Sequence, residues 1–346
     1  MKKILIALVL ISIFATSASA ALNWRIVSHA MPGTIQHKIV EDFCETVKTI
    51  SQGELIIEPF SAGVLFPVFE SFDNIANGVV EMGSVYGAYW PGKHPGFLLT
   101  TRPGCPLSTF AEGAYLDEKL EPFFANIYKK FGIQHLGHLM VSPIYEQLMS
   151  VVPVNSIADL KGKKIRTSGI GALYYEALGA TPVGLPAPEI YPALQTKNLD
   201  AAEWTFWDDN MRMNFHEVVN YVVDPAFQNG TCEYYPLVVN QDKWDSLSQH
   251  LKDVVIVARD RARYHSAMVY VTEMISREKW RALPNITIVR WSPEDEATAR
   301  SVGQKLIKDE CEKTEEGKWY LQVYRDTLWE LGYKDEAKNL GYEEKK

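Results

Sequence analysis

The sequence predicts an α/β protein of two lobes, with a hinge, a ligand cleft between the lobes and long helices at the C-terminus. Three observations predict it. Strand-like and helix-like stretches alternate twice along the chain, which implies two parallel sheets with crossover helices. At 346 residues the chain is too long for one ordinary core. And an apolar strand, Leu199 to Ala202, ends abruptly in Glu203, Trp204, Thr205, Phe206, Trp207, Asp208 and Asp209. The end of a strand is where an open α/β sheet presents ligand groups.

Met1-Lys2-Lys3, the apolar run Ile4 to Phe14 and Ala18-Ser19-Ala20 form a charged start, a short hydrophobic segment and an Ala-x-Ala site. This is the pattern of a signal peptide over residues 1–20. The run is shorter than the ~20 apolar residues that span a bilayer. The expected product is exported, to the periplasm in a bacterium. The chain carries 35 basic and 43 acidic residues, a net charge of −8, and no basic stripe, so no nucleic-acid partner is expected. Cys44, Cys105, Cys232 and Cys311 are far apart, without metal-ligand spacing. Disulfides and buried thiols both stay open.

In chain order, Leu22 to His29 reads as a strand, Gln36 to Ile50 as a helix with Ile39, Val40, Phe43 and Val47 on one face, and Glu54 to Pro59 as a strand. Phe66 to Gly78 reads as a helix and Val80 to Val85 as a strand. Tyr86 to Pro95 is a loop by its Gly and Pro content, yet it holds Tyr86, Tyr89 and Trp90. These aromatics either cap the core or face the cleft. Phe110 to Lys130 is helical and Ile133 to Leu139 a strand. His135 and His138, three apart in a strand, are expected on opposite faces. The alternation then repeats: a strand at Gln147 to Val152, a strand delivering Arg166, a helix to Leu178, a strand at Thr181, a helix to Lys197 and the strand to Ala202. Strands at Tyr221 to Pro225 and Tyr234 to Asn240 lead back to the first lobe. Trp244 to Glu278 is a long helix, Ile286 to Trp291 a strand, and Glu294 to Leu340 helical with breaks. The expected division is residues 21–138 with 223–262 as the first lobe, 139–222 with 263–340 and the C-terminal helices as the second, and 341–346 as a disordered tail.

Catalytic patterns are absent: no G-x-S-x-G, H-E-x-x-H, Walker or dinucleotide fingerprint. Arg166 follows an apolar Ile165 and precedes a Thr-Ser-Gly turn, a place from which a guanidinium offers parallel donors to a carboxylate. Its alternative is an internal salt bridge. Glu203 beside an organic anion would repel it. It is therefore protonated, paired with Arg166, or bridged to the ligand by a cation. A hard cation, Na⁺ or Ca²⁺, takes oxygen ligands such as a carboxylate and the amide of Gln147. A 2-oxo or 2-hydroxy acid would chelate it. Asp208 and Asp209 read as helix N-terminal residues bracing the turn.

Ala158 to Arg166, Gly179-Ala180-Thr181-Pro182-Val183, Tyr191 to Thr196 and Leu199 to Trp204 together resemble the periplasmic solute-binding subunits of TRAP transporters, the DctP-like family. The subgroup that binds 2-oxo or 2-hydroxy acids with a metal ion is the nearest in pattern. The resemblance implies a periplasmic binding protein fold and a receptor, not an enzyme, that hands its ligand to a membrane permease. It implies that Arg166 pairs with the ligand carboxylate, that Gln147, Glu203 and the backbone carbonyl of Trp204 hold the metal and ligand, and that Tyr89, Trp90, Phe227 and Glu233 reach the cleft. It implies a homodimer through exchange of the helix containing Trp319 to Leu331. Leu148-Met149-Ser150 and Phe227-Gln228 depart from the family pattern, which turns the expectation toward a bulkier or more apolar acid, aromatic acids included. The rival readings are a secreted enzyme using Glu203, Asp208 or Asp209, and a binding protein of another transporter or sensor.

Overall fold

The computed structural model describes residues 21–141, 146–229 and 234–344. The expected signal peptide, Cys232, Glu233 and the last two residues lie outside them. Among the described residues no helix is long and apolar enough to cross a membrane.

The first half of the chain builds β1 (Leu22–Ser28), α1 (Ile35–Ile50), β2 (Leu55–Phe60), α2 (Ser71–Ala76), β3 (Met82–Ser84), α3 (Phe110–Lys129) and β4 (Ile133–Val141). Thr34 starts α1 by accepting a hydrogen bond from the His37 N–H, and a capping box of Thr109 and Glu112 starts α3. The chain then enters the second half: β5 (Leu148–Ser150), β6 (Lys164–Arg166), α4 (Ile170–Ala177), β7 (Thr181–Val183), α5 (Ala187–Gln195), β8 (Ala201–Ala202), α6 (Trp207–Arg212) and β9 (Tyr221–Val223). It returns with β10 (Tyr234–Asn240) and α7 (Gln241–Ser246). The remainder is α8 (Gln249–Arg281), β11 (Thr287–Val289), α9 (Pro293–Cys311), α10 (Glu315–Glu330) and α11 (Lys334–Asn339).

The strands form two sheets, in the orders β2-β1-β3-β10-β4 and β11-β9-β5-β8-β6-β7. β1, β2 and β3 are parallel, as are β6, β7 and β8; β10 runs antiparallel to both neighbours, and so does β5. Both sheets are covered on both faces, because alternate strand residues point to opposite sides. In β10, Val238 joins a core with α3, α10 and α11, while Leu237 and Val239 join one with α1 and α8. In the second sheet Leu148 and Val223 face α4, and Met149 and Val222 face α5 and α6. Full burial of such a side chain contributes ~1.5–3 kcal/mol.

The two lobes are joined where β4 leads to β5, where β9 leads to β10, and along α8. The N-terminal part of α8 lies on α1 and β4, and its C-terminal part on α6. The expected cut between residues 262 and 263 therefore falls inside one unbroken helix. The C-terminal helices also pack differently from expectation. Tyr320, Tyr324 and Leu328 of α10 and Leu340 fill the core shared with α3, so these helices attach to the first lobe. The expected tail is partly packed as well: the Tyr342 ring stacks on Trp329 at 4.3 Å.

A second correction concerns the histidines. The β4–β10 register shifts twice, around Pro236, and Gly137 sits at φ +79°. A bulge changes the parity of a strand. His135 and His138 consequently lie with ring centroids 6.4 Å apart in one buried cluster with Asp117 and Arg102. The Cys44, Cys105 and Cys311 side chains are buried as thiols, not joined in disulfides.

Candidate ligand-binding site

The C-terminal ends of the parallel strands of both sheets converge where the lobes meet. β6 and β8 are in register, Arg166 opposite Ala202, so the residues that follow them lie side by side. Arg166 is 2 % exposed. Its Nε donates to the Leu185 carbonyl at 3.0 Å and its Nη1 to the Glu203 carbonyl at 2.8 Å. The Glu203 N–H donates in return to the Arg166 carbonyl at 3.0 Å. Glu203 is buried too. Its Oε1 accepts from the Ser168 N–H at 3.1 Å and lies 3.6 Å from Arg166 Nη1. That last separation is a charge contact rather than a hydrogen bond. A buried carboxylate needs this compensation, because desolvating it alone costs several kcal/mol.

Facing this pair is an aromatic wall from the first lobe. His29 follows β1 and Tyr86 and Tyr89 follow β3. The His29 ring stacks on Tyr235 at 4.7 Å, Tyr86 stacks on Tyr235 at 5.5 Å, and Tyr89 meets Tyr86 edge-on at 5.2 Å. Burial pushes the Tyr89 hydroxyl above the ordinary phenol range, against the pull of the Arg166 guanidinium beside it. Tyr89 thus keeps its proton and can donate to an anion. Trp204 is half-buried and packs edge-on against Phe215 at 5.6 Å. These groups, with Ala30, Gln36, Ser168 and Thr205, line a hollow of about 20 Å³ between the lobes, closed down to roughly the room of one water. Larger hollows at the α10–Tyr342 surface and along the α1–β2 edge are open and lined by charges of both signs.

Two bonds close the lobes directly on each other. The Gln36 amide lies 2.8 Å from His29 Nε2 and 2.5 Å from Thr205 Oγ1. Asp209 Oδ1 accepts from the Ile35 N–H at 2.6 Å, so a second-lobe carboxylate caps the first-lobe helix α1. Burial lowers the His29 pKa, so the ring is neutral. A neutral ring whose Nδ1–H meets the Ser84 carbonyl, 3.1 Å away, accepts at Nε2. That requires the Gln36 amide to turn its NH₂ to His29 and its oxygen to the Thr205 hydroxyl.

The expected residues divide. Arg166, Glu203, Trp204 and Tyr89 come together around the cavity. Gln147 is fully buried, directly before β5. The β5–β8 register pairs Met149 with Ala202, which puts Gln147, just before β5, at the sheet end from which Glu203 and Trp204 leave β8. Trp90 does not line the cavity. Its ring lies in the first-lobe core against Phe72, and its Nε1 donates to the Phe69 carbonyl at 2.8 Å. Phe227 does not line it either. It is fully buried under Arg300, 4.2 Å from ring centroid to guanidinium, and its backbone (φ +60°) shapes the passage between β9 and β10. Both rings follow the ordinary fate of a loop aromatic, which is to bury apolar area. Glu233 lies outside the described residues.

Sequence reasoning missed His29, Gln36, Thr205, Tyr235 and a further buried carboxylate, Glu146. Glu146 Oε2 accepts from Asn229 Nδ2 at 2.6 Å, and its charge, with that of Glu203, acts on Tyr89 and on the buried Tyr175. The rule that found Arg166, applied to the ends of β1 and β3, would also have found His29 and Tyr86. Among the described residues no group of three or more His, Cys, Asp or Glu is arranged to hold a metal ion. A cation here would rest on Glu203 together with amide, backbone and ligand oxygens.

Residues 26–314 match the model of the bacterial extracellular solute-binding proteins, family 7 (DctP). The chain belongs to that family. The monocarboxylate 2-oxoacid-binding periplasmic protein of Nostoc sp. is 26 % identical over 243 residues, 67 % of this chain and 64 % of that protein's length. The 2,3-diketo-L-gulonate-binding periplasmic protein YiaO of Escherichia coli is 23 % identical over 304 residues, 86 % of this chain and 90 % of that one. Among solved structures, a TRAP transporter solute-binding protein from Bordetella bronchiseptica, a dimer with copurified calcium and picolinate, superposes with a TM-score of 0.83 at 22 % identity, covering 92 % of this chain and 95 % of its own. One from Pseudoalteromonas atlantica with bound sodium and pyruvate gives 0.79 at 23 %, covering 93 % and 100 %. These superpositions establish the two-lobed α/β fold.

Proposed function

We propose that this DctP-family chain is the extracytoplasmic receptor of a TRAP transporter, exported to the periplasm through residues 1–20. In this reading it captures a small organic monocarboxylate, a 2-oxo or 2-hydroxy acid with aromatic acids included, and hands it to the membrane permease. The observation that carries the reading is the Arg166 guanidinium, buried at the junction of the lobes and fixed by two backbone carbonyls beside Glu203 and the Tyr89 hydroxyl. Closure around the ligand excludes water and strengthens the Arg–carboxylate attraction. No covalent step is needed. The carboxylates that an enzyme would use are occupied: Asp208 accepts from Ser276 Oγ at 2.6 Å and pairs with Arg212, and Asp209 caps α1.

A bridging cation belongs to the reading. Arg166 and Glu203 already neutralise each other, so a ligand carboxylate adds uncompensated charge to a buried site. A Na⁺ or Ca²⁺ held beside Glu203 offsets that charge. Glu203, the Gln147 amide oxygen and the Trp204 carbonyl form an oxygen-only set, which suits these hard cations. The relatives described with calcium and picolinate and with sodium and pyruvate support this. The reading includes a homodimer. The helix expected to be exchanged, α10, sits on α3 of its own chain.

Calorimetric titration of metal-stripped protein with a panel of 2-oxo, 2-hydroxy and aromatic acids tests the whole reading. Saturable binding is expected, weakened when the cation is removed and restored by adding back Ca²⁺ or Na⁺. Absence of binding to every acid in the panel, with either cation, would sink it. Unchanged affinity in chelator and without Na⁺ would remove the cation alone.

A further inference from the structure

Helix α8 is amphipathic on its inner side, yet its outer side is apolar as well. Val257, Tyr264, Met268, Val271 and Ile275 are each more than half exposed, at 54, 72, 53, 55 and 54 %. From Tyr264 onward the steps are four, three and four, with Val257 one heptad earlier. This is the spacing of a coiled-coil seam, in which apolar residues return every 3.5 positions to face a second helix. The inner face, Ala262, Ser266, Val269, Glu273, Ser276 and Trp280, is already buried against the protein. Between Tyr264 and Ile275 no charged side chain interrupts the outer strip. A solvated helix face has no reason to be so built; a contiguous apolar strip marks an interaction surface.

The ends of the strip indicate what covers it. The next seam positions are Arg261 before Tyr264 and Glu278 after Ile275, both exposed. In an antiparallel pair of identical helices, related by a two-fold axis beside Val269 and Tyr270, Met268 layers on Val271 of the other copy and Tyr264 on Ile275. Arg261 then meets Glu278 at both ends. On one flank, Asp260 comes opposite Arg281. In a parallel pair Arg261 would face Arg261 and Glu278 would face Glu278. A two-fold interface is self-complementary by construction, and here the charges select the antiparallel form.

We infer that the exposed seam of α8 is a pairing surface for a second copy of this chain, with the two α8 helices antiparallel about residues 269 and 270. An apolar strip of this kind is ~300–600 Å² on each copy. The helix pair alone thus buries less than the ~1,200 Å² at the lower end of standard interfaces, and the dimer dissociates at micromolar concentration. No exchange of α10 is required.

Sedimentation velocity of the chain from Ala21 onward, over a micromolar concentration series, tests this. A monomer–dimer equilibrium is expected. Val271→Glu, an exposed position, should leave the circular dichroism and melting temperature intact and shift the protein to monomer. Arg261→Glu and Glu278→Arg should each weaken the dimer, and the double variant should restore it. A merely structural role for either residue does not predict that rescue. The inference is overturned by a wild-type protein that stays monomeric, by a dimer indifferent to Val271→Glu, or by one lost only on changing Trp319 in α10. It is also overturned if monomeric wild-type and Val271→Glu proteins bind ligand alike but only the wild type supports uptake, since the seam would then serve the permease.

Discussion

Arg166 has its Nε and Nη1 fixed by the carbonyls of Leu185 and Glu203, and this fixes its plane before any ligand arrives. Such preorganisation lowers the cost of binding. Arg166→Ala removes the anchor and leaves Glu203 as a buried charge with only the Ser168 N–H and any bound cation near it. Truncating one partner of a buried, hydrogen-bonded charge pair costs ~2–5 kcal/mol, some 30-fold to several thousand-fold in affinity. Calorimetry should show that loss, and unchanged affinity would refute the anchoring role. Asp209 offers a pH test. Burial pushes its carboxyl up to about 7, against ~3.9 in an unfolded chain. The fold therefore favours the protonated form. That contribution is fully present below about pH 4 and is lost as the pH rises through about 7. Asp209→Asn keeps an oxygen for the Ile35 N–H and cannot titrate. Its melting temperature relative to wild type should rise between ~pH 4 and ~pH 8; parallel melting curves would contradict the assignment. The strand-end signal made Arg166, Glu203 and Tyr89 legible in the sequence. Trp90 and Phe227 were not separable from Tyr89 by the same reasoning, because an aromatic ring in a loop buries equally well in a core or a cleft.

Among the elements, β4 departs most from its pattern. Period-2 reading puts His135 and His138 on opposite faces, and one left-handed residue, Gly137, reverses that. A Cβ at Gly137 would meet Arg259 Nη1 at 2.9 Å as well as strain the backbone. Gly137→Ala should therefore destabilise by ~1–3 kcal/mol, read by denaturant unfolding, without altering the cavity residues. A stability equal to wild type would mean that the bulge is not required. Helix α8 carries two apolar faces, and periodicity legibly assigned only the inner one. Among the described residues the outer strip has no partner for the sequence to suggest.

The whole molecule is held closed by contacts between residues distant in sequence. Gln36 reaches Thr205 across 169 positions and Asp209 reaches Ile35 across 174. Thr205→Val replaces the hydroxyl with a methyl group of the same shape and leaves one side of a buried amide unsatisfied. This costs ~1–3 kcal/mol, all of it in the closed form. Small-angle scattering of the ligand-free variant should give a larger radius of gyration than wild type, with ligand affinity reduced by ~5–150-fold. An unchanged radius and affinity would show that this bond does not hold the lobes.

The sequence by itself determined the alternation of strands and helices, hence two doubly covered sheets, and the strand ends that carry Arg166 and Glu203. Those depend on periodicity and on residues adjacent in the chain. Only the tertiary structure decided that Tyr89 rather than Trp90 faces the cavity, that Phe227 packs under Arg300, and that His29 and Gln36 complete the wall. It also decided that α10 and α11 attach to the first lobe. Each of these turns on which surface a side chain meets once the chain has folded, and local pattern does not encode contacts between residues distant in sequence.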